Sequence, residues 1–390
     1  MTNDLMREEI NEIPQIIEKF SKCFSDNLEK ISMTNYSDIW ITGSGDSQCA
    51  SVYLDSLLSQ LGLISRVFVP MELSNFFKFT KSRNPCLIAI SVSGKTPRVI
   101  EVVKKFKSIY HNSPVIGLTD NPNSVLHKEA NIPLLLNASP PESLVYNKEE
   151  KSIVKEYDGY QNPIPQTKTF YSNLLYLTSL AFKLVGREND LKKLLNLIQK
   201  QSKQWITTSE LEIKEIKVLH PQKTIFIGSS LFKSLAQFGS YKWFEFTFPG
   251  MYQDIEEYAH THYFTTDSDT TLIFFIPNQI HFTRIKELFD GALMELVKPQ
   301  IISFVGKINF DEYKRFPNVS FLNFPEKNSF DDRLLQEIYF YFYQMIEIFW
   351  LMYYTAHNEG LDTNRFRGGK DVQKYIKGSL QTIRNSKINL

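Results

Sequence analysis

Cysteine is scarce in this sequence: Cys23, Cys49 and Cys86 are the only three in 390 residues, and none forms a CxxC pair. So sparse and odd a set offers no disulfide framework and fits free thiols in a reducing, cytoplasmic compartment. Charge of one sign is not in excess either, with 44 Lys plus Arg against 43 Asp plus Glu. Without a basic field or a polybasic run, neither nucleic acid nor an anionic membrane surface is an expected partner. No secretory leader is legible, because the N-terminal "MTNDLMREEINEIPQIIEKF" is charged and helical in period. Nor is there a clean membrane span. The longest apolar run, "IYFYFYQMIEIFWLMYYTA" at residues 338–356, carries Gln344 and Glu347 near its centre. Each would be costly in lipid, so a helix buried in the core or at a subunit interface is expected instead.

What is present is an alternation. Short apolar runs, "DIWITG", "SRVFVP", "CLIAISV", "PVIGLT" and "IPLLLN", are separated by amphipathic stretches such as "RVIEVVKKFKSI". That order predicts an α/β fold with a parallel sheet covered by helices on both faces. A long helix is predicted from Thr167. The second half repeats the scheme: a polar helix from residue 189 to about 218, then "KTIFIGSS", a helix through "FKSLAQFGSYKWFEF", and strands "TLIFFIP", "QIISFVG" and "VSFLNF". The aromatic run then closes the unit. Two copies of one fold, residues 1–187 and 188–390, are the economical expectation for a chain of this length. Residues 137–166 between strand and helix have few apolar residues and no clear period, which suits a functional lid or a disordered segment.

Two turns carry chemistry. "ITGSGDSQCAS" (41–51) and "ISVSGKT" (90–96) each follow an apolar strand and precede a helix. Glycine lets the backbone approach a ligand closely, and the first helical amides sit unpaired at the positive end of the dipole. Such turns at the carboxyl ends of parallel strands suit a phosphate. Ser47, Ser91, Ser93 and Thr96 could each offer it a hydroxyl. Ser93 and Thr96 could equally cap the helix that starts at Pro97, and the two roles are compatible.

In combination, "ITGSGDS…VPMELSNF…LIAISVSGKTPRVIEVVKKFK…VIGLTDNPNS…QTKTF" resembles a sugar isomerase (SIS) domain. The tandem arrangement makes residues from about 6 to 370 resemble the isomerase half of glucosamine-6-phosphate synthase and related phosphosugar isomerases, deglycases and amino-sugar deaminases. The resemblance implies two SIS domains, each a flavodoxin-like parallel sheet in an α-β-α sandwich. It also implies a homodimer with shared active sites and a phosphosugar substrate. On this basis Gly45, Asp46 and Ser47, with Ser91, Ser93, Gly94 and Thr96, would bind the substrate phosphate. Gln166, Thr167 and Lys168 would face the sugar. "KWFE" would supply Lys242 and the catalytic base Glu245. His260 in "EEYAH" would open the sugar ring, typically in the neighbouring subunit's site. "GLDTNRFRGGK" would end near a catalytic lysine, Lys370.

These residue types suit aldose–ketose interconversion, which moves a proton between adjacent carbons through an enediol or enolamine. A carboxylate can take and return that proton, a histidine can open the cyclic sugar, and a lysine can polarise the carbonyl or form a Schiff base. No metal or redox cofactor is required. His260 and His262 form a His-x-His pair, but no nearby cysteine or third histidine completes a zinc site. His262 remains a rival to His260, and Lys374 to Lys370. Glu245 stands between Phe244 and Phe246 and could instead be a buried structural carboxylate. Where the family commonly has glutamate in the phosphate loop, this sequence has Lys95. Gln161 and Gln166 replace the synthase's glutamate and serine near the sugar, so the sugar or its substituent is expected to differ. The chain begins Met1-Thr2, without a glutaminase nucleophile, so amidotransfer is expected only if a separate subunit supplies ammonia. Two classes stay open: an isomerase, deaminase or deglycase of a 6-phosphosugar, and a phosphosugar-binding regulatory module.

Overall fold

Among the described residues, ten short strands pair in parallel in two sheets of five. A computed structural model describes residues 4–28, 31, 36–79, 82–138, 167–325, 330–370, 382 and 386–388. In the first sheet, β1 (Asp38–Gly43), β2 (Ser65–Phe68), β3 (Pro85–Ile90), β4 (Val115–Thr119) and β5 (Ile132–Leu135) stand in the order β2-β1-β3-β4-β5. In the second, β6 (Thr224–Ile227), β7 (Gly250–Gln253), β8 (Thr271–Ile276), β9 (Gln300–Val305) and β10 (Val319–Asn323) repeat it as β7-β6-β8-β9-β10. β3, β4 and β8 are buried along their whole length, as strands covered on both faces must be.

Helices supply the cover. In chain order they are α1 (Leu5–Asn11), α2 (Ile13–Leu28), α3 (Asp46–Gln60), α4 (Pro97–Ile109), α5 (Val125–Glu129) and α6 (Thr167–Leu184). Then come α7 (Glu188–Ile213), α8 (Leu231–Glu245), α9 (Ile255–His260), α10 (Gln279–Leu288) and α11 (Arg333–Asn358). The polar helix α7 stops at Ile213, short of residue 218, and Ile216 turns back to donate to the Ile213 carbonyl. β7 carries no apolar run to announce it, since only Gly250 of its four residues is buried.

Contacts divide the chain into two units, Met1–Asn11 with Lys200–Gly368, and Glu12–Gln199 with Gly369–Leu390. The N-terminal helix α1 belongs with the second sheet. Its Leu5 amide donates to Asn364, its Arg7 pairs with Glu210 at 2.7 Å, and Tyr353 donates to Asp4 just ahead of it. Helix α2 belongs with the first sheet, where Phe20 meets Tyr176 edge to face.

The aromatic run is helix α11, buried in the unit that holds the second sheet. Trp205 of α7 packs against its Tyr339 and Tyr343. Among the described residues no helix is long and apolar enough to cross a membrane. Burial pushes the Glu347 carboxyl well above the usual carboxylate range, reinforced by the charge of Glu212. Cys86 is a buried free thiol and Cys49 is buried, while the side chain of Cys23 lies outside the described residues.

Candidate functional site

Strands β1 and β3 are neighbours with opposite onward connections, so their carboxyl ends flank the switch point where open α/β sheets hold ligands. At the end of β1, a Cβ on Gly43 would stand 2.6 Å from the Ser47 carbonyl, so helix α3 can start hard against the strand only because that residue is glycine. Gly45 follows at φ +60°, with open space where a Cβ would project. Its demand is torsional, and glycine meets it without strain. The turn closes through Ser47 N–H to Ser44 O (3.2 Å) and Gln48 N–H to Gly45 O (2.8 Å). No side chain caps α3, Ser47 is buried, and Asp46 stands half-buried in the first turn.

After β3 the chain makes a tighter loop. Gly94 lies at φ +61°, and a Cβ there would come within 2.1 Å of Ser124 Oγ and 2.6 Å of Thr119 Oγ1. Its amide donates to Ser91 O and its carbonyl accepts from Leu126 N–H, which ties the loop to α5. Thr96 occupies the cap position of α4 but makes no side-chain capping bond. Its hydroxyl lies 2.9 Å from that of Ser91, while Ser93 Oγ accepts from the Lys95 amide. Capping therefore does not occupy the Thr96 hydroxyl. Two uncapped helix starts and hydroxyls of both loops converge on adjacent strand ends, an arrangement suited to an anion.

The second sheet holds the same turn with different side chains. Gly228 repeats Gly43, since a Cβ there would stand 2.5 Å from the Phe232 carbonyl. Ser230 repeats the torsions of Gly45, at φ 57° and ψ −129° against 60° and −128°. The fourth residue beyond the strand-end glycine, however, is Phe232 instead of Ser47. It is fully buried against Phe275, Tyr341 and His281. Ser229 donates to Asp254. Asn278 caps α10 through the amides of Ile280 and His281 and donates to Glu337 at 2.6 Å. Burial pushes the His281 imidazole down from its ordinary range. The chain's own side chains fill the second switch point.

Lys242 and Glu245 meet at the end of α8. The Lys242 ammonium donates to both carboxylate oxygens of Glu245 at 3.0 Å and lies 5.5 Å from the Phe238 ring centroid. The lysine is buried, whereas the glutamate side chain keeps 24% of its surface exposed. Phe246 is buried but Phe244 is exposed, so the two phenylalanines do not close an apolar slot around the carboxylate. His260 ends α9 with 68% of its side chain exposed, its Nε2 3.0 Å from Glu256 Oε1. His262 Nδ1 lies 3.0 Å from Thr261 Oγ1.

Thr167 and Lys168 open α6 and are both buried. The Lys168 ammonium donates to Glu12 at 2.6 Å, a partner that nothing in the sequence pattern indicates across 156 residues. Lys370 is exposed, just beyond a tight turn in which Arg367, Gly368 and Gly369 all take positive φ. Gln161, Gln166 and Lys374 lie outside the described residues. The phosphate-loop candidates thus belong to one unit, and Lys242, Glu245 and His260 to the other.

Residues 32–149 match the SIS domain family. The isomerizing glutamine–fructose-6-phosphate aminotransferase of Sulfolobus acidocaldarius is 29% identical over 148 residues, 37% of this chain and 24% of that protein. The match spans about a quarter of that relative's length. Solved structures are similar over nearly the whole chain. Glucosamine-6-phosphate deaminase from Thermotoga maritima has a TM-score of 0.66 at 17% identity, covering 92% of this chain and 96% of that one. The C-terminal domain of the Francisella tularensis glucosamine-fructose-6-phosphate aminotransferase reaches 0.69 at 18%, covering 94% and 98%. Tagatose-6-phosphate ketose/aldose isomerase from Escherichia coli reaches 0.64 at 15%, covering 96% and 97%. At these identities the likeness establishes the fold: two SIS-type α/β units in tandem.

Proposed function

We propose that this chain, whose residues 32–149 match the SIS domain family and whose second sheet repeats the strand order of the first, is a phosphosugar isomerase of the isomerase, deaminase or deglycase type. The observation that carries the reading is the asymmetry of the two switch points. One presents Ser47, Ser91, Ser93 and Thr96 around uncapped helix starts, while the other is filled by Phe232 and self-capped by Asn278. One phosphate handle per chain is the result. Binding there supplies energy away from the reacting carbons.

In this reading Glu245 moves the proton between adjacent carbons, and the Lys242 ammonium fixes the carboxylate and offsets its charge. Thr167 and Lys168 stand toward the sugar, and Lys370 polarises the carbonyl or forms a Schiff base with it. The exposed His260 is lent to a neighbouring subunit of a cytoplasmic homodimer, where it opens the ring.

One observation favours the second reading, a non-catalytic phosphosugar-binding module: both oxygens of Glu245 already accept from Lys242. Turnover assays with fructose 6-phosphate, glucosamine 6-phosphate and fructosamine 6-phosphates separate the two. Consumption of any of them supports the isomerase type and names its chemistry. Tight binding of all without turnover would leave the binding module.

A further inference from the structure

We propose that Glu256, held by Arg284, is a positioning residue for His260, fixing its imidazole with Nε2 protonated and Nδ1 bare. The proposal rests on the ring-opening role assigned above to His260.

The contact is built from both ends. Asp254 caps α9, accepting from the Glu256 amide at 2.8 Å, and its other oxygen is held by the Ser229 hydroxyl. The Tyr258 amide donates to Asp254 O, and the Tyr258 ring is buried edge to face against Phe274. The backbone that carries Glu256 and His260 is therefore anchored to the core of its unit. From α10, Arg284 grips the Glu256 side chain as a fork, Nε to Oε2 at 2.7 Å and Nη2 to Oε1 at 3.2 Å. Glu287 holds the same guanidinium from the other side. Arg284 first, then His260, hold the Glu256 carboxyl below the usual carboxylate range.

An ionised carboxylate only accepts hydrogen bonds, and each of its oxygens has two lone-pair sites. Oε1 can therefore receive both Arg284 and His260, and the His260 nitrogen 3.0 Å away must carry the hydrogen. In the neutral ring that leaves the proton on Nε2 and the lone pair on Nδ1. Nδ1 takes the proton of the anomeric hydroxyl, the bond from the anomeric carbon to the ring oxygen breaks as the carbonyl forms, and the proton is returned to that oxygen as a hydroxyl. Without Glu256 the ring is free to rotate and to exchange tautomers.

Two measurements test this, using Glu256→Gln in the full chain. Nitrogen-15 NMR of the histidine rings at about pH 9, above the ordinary imidazole range, reads the tautomer without any substrate. Wild type should show His260 with Nε2 protonated, and Glu256→Gln should bring the Nδ1-protonated form to a measurable share. A wild-type Nδ1–H ring, or identical populations in the two proteins, would overturn the proposal. The second measurement compares turnover of fructose 6-phosphate with that of its 5-deoxy analogue, which cannot close a furanose ring. The variant should lose about tenfold to a hundredfold in kcat on the closing sugar, part of a general acid–base contribution, and little on the open one. The loss should vanish when His260 is already alanine. Equal losses on both sugars, or a loss that persists beside His260→Ala, would mark a structural role and sink the proposal. Wild-type silence on every phosphosugar would instead defeat the isomerase reading, and the NMR would still decide the tautomer.

Discussion

Ser47 and Phe232 hold the same place in the two sheets, each the fourth residue beyond a strand-end glycine and each buried, one as a hydroxyl and one as a ring. If the hydroxyl belongs to a phosphate cradle, Ser47→Ala removes a hydrogen bond to a charged ligand worth about 1.5–3 kcal/mol. Titration calorimetry with a 6-phosphosugar should show affinity falling about tenfold to a hundredfold, with the melting point of the free protein little changed. Phe232→Ala should behave in the opposite way, costing about 3–5 kcal/mol of stability and leaving phosphate affinity alone. A Ser47→Ala protein that binds as wild type would remove that hydroxyl from the cradle.

The two loop glycines should differ under substitution. Ser230 already adopts the torsions of Gly45 with a side chain, and open space surrounds the Gly45 Cβ position. Gly45→Ser should therefore cost only the torsional penalty of a sparsely populated backbone region, about 1–3 kcal/mol. Gly94→Ala meets the same penalty and also drives a methyl into Ser124 Oγ, which caps α5 by accepting from His127 N–H. Urea melts should rank Gly94→Ala well below Gly45→Ser. The reverse order would contradict the packing described for the loop after β3.

Glu245→Gln tests the proton shuttle. The amide keeps the shape and can still accept from Lys242, so the fold should survive. Turnover should fall about a hundredfold to ten-thousandfold with phosphosugar affinity kept. In heavy water the wild type should exchange the carbon-bound proton of its substrate and the variant should not. Exchange at the wild-type rate in the variant would place the base elsewhere.

Glu347 gives a pH dependence with a definite sign. Its folded carboxyl is pushed well above the usual value of 4.5 by burial and by Glu212. Below 4.5 both the folded and unfolded forms hold the proton, and this group costs nothing. As pH rises from there, the unfolded chain releases the proton and the folded one keeps it. Stability then falls by up to about 1.4 kcal/mol per pH unit until the folded value is reached. Glu347→Gln should flatten that decline, seen as a denaturation midpoint less sensitive to pH as it rises above 4.5. Parallel pH curves for the two proteins would mean that Glu347 is already ionised in the fold.

Much of the frame was legible in the sequence, because short apolar runs bounded by turn residues, such as that of β3, suit strands buried on both faces. The two glycine-rich turns were legible for the same reason, since each follows such a run directly. β7 was hidden because an edge strand with one buried residue carries no hydrophobic signature. The Lys168–Glu12 pair and the grip of Arg284 on Glu256 join residues from separate helices, and local patterns carry no record of such pairings. The difference between the two junctions could be read from Phe232 alone once Gly228 is aligned with Gly43. The Lys242–Glu245 contact was implicit in a three-residue spacing on one helix.

The positive φ of Ser230 separates geometry from occupation. A strained serine persists at a junction that its own unit has filled, as Gly45 does at one that is open. The torsion therefore follows from bringing a helix down onto the end of a strand, at Gly228 on Phe232 as at Gly43 on Ser47. An unusual backbone angle in a turn of this kind is a scar of duplicated architecture, and it says nothing about cargo. What differs between the two junctions of this chain is the side chain four residues past the glycine, Ser47 in one and Phe232 in the other.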